Sequence, residues 1–310
     1  MVRALLLLIA CGCGQVATST FPSIDGPPLV GMHFDRMYSN AHGTRSYRVY
    51  LPSGYHAGVP LFVVLHGCTQ TADQIEAASR FSELAEARTF VVAYPQQDSN
   101  ANPLSCWNWF QNADQVRDGD EVSLLAGIAQ ATLAEWSLDP KRVYVAGGSA
   151  GGAMAGNLGA TYPDLFRAIA VLSGCEFGGY PCGQNGGPDP MQQGQRAFTA
   201  MGNHARAVPV IVFHGDADTI AYPINGEQVT EQWLATDAAA GAVLPLLSHR
   251  DGQVMGGRSY SVDDYGAIQH WVVHGMGHAW SGGAAGQAFT DPGGPDATQI
   301  IYDFCMNQGG

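Results

Sequence analysis

Residues 142–154 read Arg142-Val143-Tyr144-Val145-Ala146-Gly147-Gly148-Ser149-Ala150-Gly151-Gly152-Ala153-Met154. A β-branched, apolar run stops at glycines, turns on a serine, and continues in small residues suited to a close-packed helix. This is the strand–turn–helix setting that exposes a serine as a nucleophile. So sharp a turn forces unusual backbone angles on the serine, and its neighbours must lack bulk. Glycines at 147, 148, 151 and 152 meet that need. The amides that follow, at the start of a helix, can face a developing oxyanion. With 40 glycines in 310 residues the motif alone is weak, so its surroundings decide.

Those surroundings alternate strand and helix. Upstream, Arg45 to Leu51 alternates like a half-buried strand. Pro60 to Leu65 is a continuous apolar run, as in a strand buried on both faces, and ends in His66-Gly67-Cys68-Thr69-Gln70. A helix is expected from Thr71 to Arg88, a strand over Thr89 to Tyr94, and a helix over Asp120 to Ser137. A long loop between the last two carries Cys106-Trp107-Asn108-Trp109-Phe110. Downstream, strands are expected at Phe166 to Leu172 and Val208 to Phe213, then a helix at Glu227 to Ala240. Strands at Ser259 to Asp264 and Ile268 to Val273 follow, with a closing helix from Ala297 to Cys305. Cys175 to Gln195 is Gly/Pro-rich and reads as a structureless surface excursion. The pattern predicts one α/β domain, residues 29–310, with a mainly parallel, doubly wound sheet.

Composition narrows the function. Fourteen basic against 27 acidic residues give a net charge of −13, which argues against nucleic acid as a partner. Residues 1–28 read as a targeting segment and leader. Arg3 is a minimal positive region, and Ala4 to Ala10 is apolar but too short to span a bilayer. Leu8-Ile9-Ala10-Cys11 has the form of a lipoprotein cleavage site, which would make Cys11 a lipid anchor. An ordinary secretory signal cut a few residues later is the alternative. Either way the expected location is secreted or periplasmic, or the cell envelope. Export makes disulfides plausible among Cys68, Cys106, Cys175, Cys182 and Cys305. No Cys/His metal spacing occurs, and neither a metal nor a cofactor is expected.

In a doubly wound sheet, chemistry gathers at the carboxyl ends of strands. Here those ends carry His66-Gly67-Cys68, Ser149, the pair Asp216 and Asp218, and His278 in a glycine-rich loop. Serine is a poor nucleophile until a histidine takes its proton and a carboxylate fixes the histidine tautomer. The order Ser…Asp…His is that of α/β-hydrolases. His270 and His274 flank the apolar Trp271-Val272-Val273 and read as structural, leaving His278 as the base. Spacing does not choose between Asp216 and Asp218.

His66-Gly67-Cys68-Thr69-Gln70, Cys106 to Phe110, the Ser149 turn, His214 to Asn225 and Gly277-His278-Ala279-Trp280 together resemble the polyhydroxybutyrate depolymerase-type esterases. That family sits near feruloyl and acetylxylan esterases, and the resemblance runs from about Arg45 to Cys305. It implies an α/β-hydrolase fold and a catalytic triad of Ser149, Asp218 and His278, the acid placed by the family pattern H-G-x-x-D. It further implies an oxyanion hole from the amides of Cys68 and Ala150, and substrate-binding aromatics at Trp107, Trp109 and Trp280. The expected activity is cleavage, through an acyl-enzyme, of a short-chain hydroxyalkanoate polyester or its oligomers. Feruloyl or acetylxylan ester cleavage, and hydrolysis of a poly-aspartate-type polyamide by the same triad, are the alternatives. A binding protein that has lost catalysis is the reading from a different class, and the intact Ser149, Asp218 and His278 speak against it. Because Cys68 follows the oxyanion-loop glycine and Cys106 opens the tryptophan loop, a bond between them would tie that loop beside Ser149. Cys175 and Cys182 could close a second, small ring, leaving Cys305 as a buried thiol.

Overall fold

The computed structural model describes residues 31–308. The expected export signal and the Cys11 anchor lie outside the described residues. The chain opens with a hairpin of β1 (Met32–Asn40) and β2 (Gly43–Leu51), then β3 (Leu61–Leu65), α1 (Ala72–Ser79), α2 (Phe81–Arg88) and β4 (Val91–Pro95). Next come α3 (Asp120–Glu135), β5 (Val143–Gly148), α4 (Ala150–Thr161), β6 (Ala168–Leu172) and α5 (Pro190–Met201). The second half holds β7 (Val210–Gly215), α6 (Ile224–Ala239), β8 (Ser248–Gln253), β9 (Ser259–Asp264) and β10 (Ile268–Val273). A short pair, β11 (Trp280–Ser281) and β12 (Thr290–Asp291), precedes α7 (Ala297–Asn307).

Ten strands form one sheet in the order β1-β2-β4-β3-β5-β6-β7-β10-β9-β8. The central run from β4 to β10 is parallel, and antiparallel strands close each side. Side-chain alternation along the inner strands splits the core in two. Leu61, Val63, Leu65, Val143 and Val145 pack with residues of α3, α4 and α6, while Phe62, Val64, Tyr144 and Ala146 pack with α1, α2 and α7. Every residue of β3 is buried, which is why it reads as an unbroken apolar run rather than an alternation. Leaving β3, the chain turns to β4 on one side, and β5 lies on the other. That reversal opens a crevice at the carboxyl ends of β3 and β5.

Two expectations need correction. The helix read over Thr71 to Arg88 is two helices, because Arg80 takes a left-handed conformation (φ 64°) between them. The segment from Cys175 to Gln195 is not a structureless excursion. Cys175 to Gly179 are buried, and α5 starts inside the segment, with the Asp189 side chain accepting from the Met191 amide and Pro190 in the first turn. Strands β1 and β8 carry mixed, largely polar faces at the sheet edges, so hydropathy did not reveal them.

One buried group in that corrected segment gives a pH dependence. Glu176 is 2% exposed, and among the described residues neither carboxylate oxygen has a hydrogen-bond partner. Burial, with Asp189 and Glu231 nearby, pushes its carboxyl up to about 8. The folded chain therefore keeps a proton that an unfolded glutamate has already released, so stability falls as pH rises toward 8. Buried Asp114 and Asp237, pushed up to about 7 mainly by burial, act in the same direction. His66 and His270, pushed down to about 4 by burial, act oppositely, but only below their unfolded value of 6.5. Between pH 6.5 and 8 the melting temperature should thus decline, and Glu176→Gln should flatten the decline. One differential proton is worth at most about 1.4 kcal/mol per pH unit. Thermal melts of both proteins across that window check this; parallel slopes would contradict it.

Candidate active site

Ser149 stands between β5 and α4 with φ 56° and ψ −123°. Close backbone packing holds this sparsely populated conformation. A Cβ on Gly147 would lie 2.3 Å from the Gly151 backbone, and one on Gly151 would lie 2.3 Å from the Leu65 carbonyl oxygen. These two glycines are therefore dictated by the approach of α4 to β5 and β3. The Ser149 amide donates to the Leu172 carbonyl (2.9 Å), pinning the turn to β6. The turn after β3 comes equally near, since a Cβ on Gly67 would stand 3.2 Å from the Ser149 Cβ. Sequence-distant Cys68 is thereby brought beside the serine.

Beyond β7, the chain makes a tight turn around a buried carboxylate. Asp218 Oδ1 accepts from the amides of Ile220 (2.8 Å) and Ala221 (3.1 Å). Its Oδ2 lies 2.7 Å from His278 Nδ1 and 3.5 Å from His214 Nε2. Burial raises the Asp218 pKa, but hydrogen bonds from His214 and His278 outweigh it and hold the carboxyl well below the usual range. An ionised Asp218 takes the Nδ1 proton of His278 as its hydrogen bond, which leaves Nε2 as the basic nitrogen. Asp216, two residues earlier, turns elsewhere. It meets His274 Nδ1 (2.9 Å) and accepts from the Gly275 amide (2.6 Å), and His274 Nε2 in turn meets Ser261 (2.9 Å). The ambiguity between the two aspartates thus resolves geometrically, with Asp218 on His278.

Ser149 and His278 line one cavity of about 230 Å³, together with Gly67, Cys68, Gly148 and Trp280. Its apolar walls come from Ile75, Leu172, Ile220 and Phe289. Ala150 is the first residue of α4, immediately after Ser149. Its amide belongs to the unpaired donors at a helix start. Among the described residues no His, Cys, Asp or Glu cluster is built to hold a metal.

The three tryptophans separate. Trp280 lines the cavity, its Nε1 donating to Thr298 Oγ1 (3.0 Å) and its ring edge-on to Phe81. Trp107 and Trp109 do not line the cavity, and their expected substrate contact is corrected here. Trp107 is fully buried, donates to the His66 carbonyl (3.0 Å) and packs on the His66 ring. Trp109 is buried beside Phe110 and Tyr180. Proximity to a site motif in sequence does not put these two rings in the cavity; Trp107 packs on His66 and Trp109 beside Phe110 and Tyr180 instead. Ile220 and Phe289 lie in loops, whose sequence carries no periodicity that would point to them. Each is a large, exposed apolar residue in a polar loop, and that was the signal available.

A buried polar network holds the tryptophan loop. Glu121 pairs with Arg45 (3.1 Å) and accepts from the Asn108 amide (2.7 Å) and its side chain (2.8 Å). Gln97 joins it, accepting from Arg45 (2.8 Å) while its own amide donates to His66 Nε2 (3.0 Å). Both expected disulfides, Cys68–Cys106 and Cys175–Cys182, are present, and among the described residues Cys305 is a buried free thiol. The first bridges 38 positions in sequence. A loop of that length contributes about 4 kcal/mol in the chain-entropy account. Replacing Cys68 and Cys106 by serine should therefore lower unfolding stability by up to about 4 kcal/mol and reduce turnover by loosening the Cys68 amide. Denaturant titration with rate measurement on the folded variant checks both parts; unchanged turnover would remove the second.

The parallel sheet with helices on both faces, the serine at its sharp turn and the aspartate–histidine pair define an α/β-hydrolase fold. The chain matches the family model for esterase PHB depolymerases over residues 45–245, and it belongs to that family. It is 34% identical over 241 residues to a poly(3-hydroxyalkanoate) depolymerase C of Paucimonas lemoignei, covering 74% of this chain and 57% of that one. It is 30% identical over 210 residues to a probable acetylxylan esterase A of Aspergillus fumigatus, covering 63% and 56%. The chain thus spans little more than half the length of these two relatives. Among solved structures, an acetyl xylan esterase from Aspergillus awamori superposes with a TM-score of 0.70 at 24% identity, over 80% of this chain and 94% of that one.

Proposed function

We propose that this chain is an exported serine esterase that works through an acyl-enzyme. The observation that carries the reading is the buried Asp218–His278 bond beside a cavity that His278 shares with the conformationally strained Ser149. Ser149 Oγ attacks the ester carbonyl while His278 Nε2 takes its proton. The amides of Cys68 and Ala150 receive the oxyanion. His278 then returns the proton to the departing alcohol, and water, activated by the same nitrogen, releases the acid. Asp218 keeps His278 in the correct tautomer throughout.

The cavity and the relatives favour one substrate class. At about 230 Å³ the cavity is smaller than the roughly 300–1,000 Å³ typical of drug-sized ligands, and its walls are mainly apolar. That favours a short acyl group, hence a short-chain hydroxyalkanoate polyester or its oligomers. Acetylated xylan is the second reading, favoured by the relatives named acetylxylan esterases. Two disulfides suit an oxidising compartment, in keeping with export. Product analysis on soluble hydroxybutyrate oligomers, amorphous polyhydroxybutyrate, acetylated xylan and methyl ferulate tests the reading. Release of hydroxybutyrate monomers or dimers at the highest kcat/KM is expected; preferential acetate release would favour the second reading, and no hydrolysis of any would overturn both.

A further inference from the structure

We infer that Gly148, with the fixed ring of Trp280, forms the subsite that sets how large an acyl group the enzyme accepts. The inference rests on the esterase reading and deepens it.

The glycines of the turn are not equivalent. Gly147 and Gly151 cannot carry a side chain, because a Cβ on either would run into backbone at 2.3 Å. Gly148 has no such constraint. Its φ is not positive, and the nearest atoms a Cβ would meet are Trp280 Cε3 at 3.7 Å and Cζ3 at 3.9 Å. Those are ordinary van der Waals separations, so neither the backbone nor the packing of α4 demands glycine there. What a side chain at 148 would occupy is the cavity itself, which both Gly148 and Trp280 line.

The opposing wall does not yield. The Trp280 indole is tethered by its bond to Thr298 Oγ1, backed by Phe81, and only 3% exposed. Any atom added at 148 therefore takes room from the ligand rather than displacing the ring. Gly148 directly precedes Ser149, and adjacent Cα atoms lie about 3.8 Å apart. The room it leaves is thus within reach of the third and fourth carbons of an acyl chain bonded to Ser149. Acetyl has no carbon beyond the second, so it does not need that room. Butyryl and 3-hydroxybutyryl groups do.

The test is the ratio of kcat/KM for p-nitrophenyl butyrate to that for p-nitrophenyl acetate, measured for the wild type, Gly148→Ala and Gly148→Val. Lost fit to one or two methylene groups in an apolar pocket changes such a ratio by about 10–200-fold. The ratio should drop at least about tenfold in Gly148→Val and by a smaller factor in Gly148→Ala. The alanine variant adds only the methyl that fits at 3.7 Å, so it reports on the subsite even if valine prevents folding. Thermal melts establish that each variant is folded. An unchanged ratio in a folded variant, or an equal fall on both esters, would overturn the subsite while leaving the esterase reading intact. A wild type inactive on both esters would instead overturn the esterase reading, and the subsite with it.

Discussion

Ser149→Ala should lower kcat on p-nitrophenyl butyrate by about 10⁴-fold or more, and His278→Ala should do the same, with both proteins still folded. Oγ is the only atom the first substitution removes, and the Cβ that packs near Gly67 stays. In the second, Asp218 keeps the amide donors of Ile220 and Ala221, so its buried charge is not left unpaired. Because the two residues act as one unit, combining the substitutions should cost little more than either alone. Rates of the single and double variants, with circular dichroism as a folding check, decide the matter. Near-normal turnover in a folded Ser149→Ala protein would refute the mechanism.

Asp218→Asn should cost about 10⁴-fold in kcat, against less than about tenfold for Asp216→Asn. An amide at 218 can donate to His278 Nδ1 and so hold the proton on Nε2, the nitrogen that must act as base. Asp216 lies on His274, and neither residue lines the cavity. Its loss disturbs an exposed network with Ser261 and Asp251. Comparing kcat of the two variants at pH 8 tests the difference, and a reversed ranking would move the acid to Asp216.

The range of the determining interaction decides which features the sequence records. Burial of β3, β5 and β7 on both faces wrote itself into continuous apolar runs, and the clash-limited Gly147 and Gly151 wrote the turn around Ser149. The choice between Asp216 and Asp218 was not local, because it depends on where a loop 60 residues later returns. The same holds for the tryptophans. Trp107 is placed by the His66 carbonyl at the end of β3, with His66 itself held by Gln97 after β4, and no spacing within its own loop records that. The Glu121 network was invisible for a related reason, since an acidic residue in the first turn of a helix ordinarily reads as a solvated, dipole-favoured charge. Gly148 looked like one more glycine of a glycine-rich turn, and only three-dimensional packing distinguishes it from its neighbours.

Ser149 Oγ forms the acyl-enzyme bond, and covalent labelling tests that role most directly. Wild-type protein would be treated with a fluorophosphonate, followed by intact mass and peptide mapping during loss of esterase activity. One label per chain is expected, on Ser149, accumulating in proportion to inactivation and absent from Asp218→Asn protein over the same interval. Inactivation with the label on a different serine, or full activity with Ser149 quantitatively labelled, would contradict it.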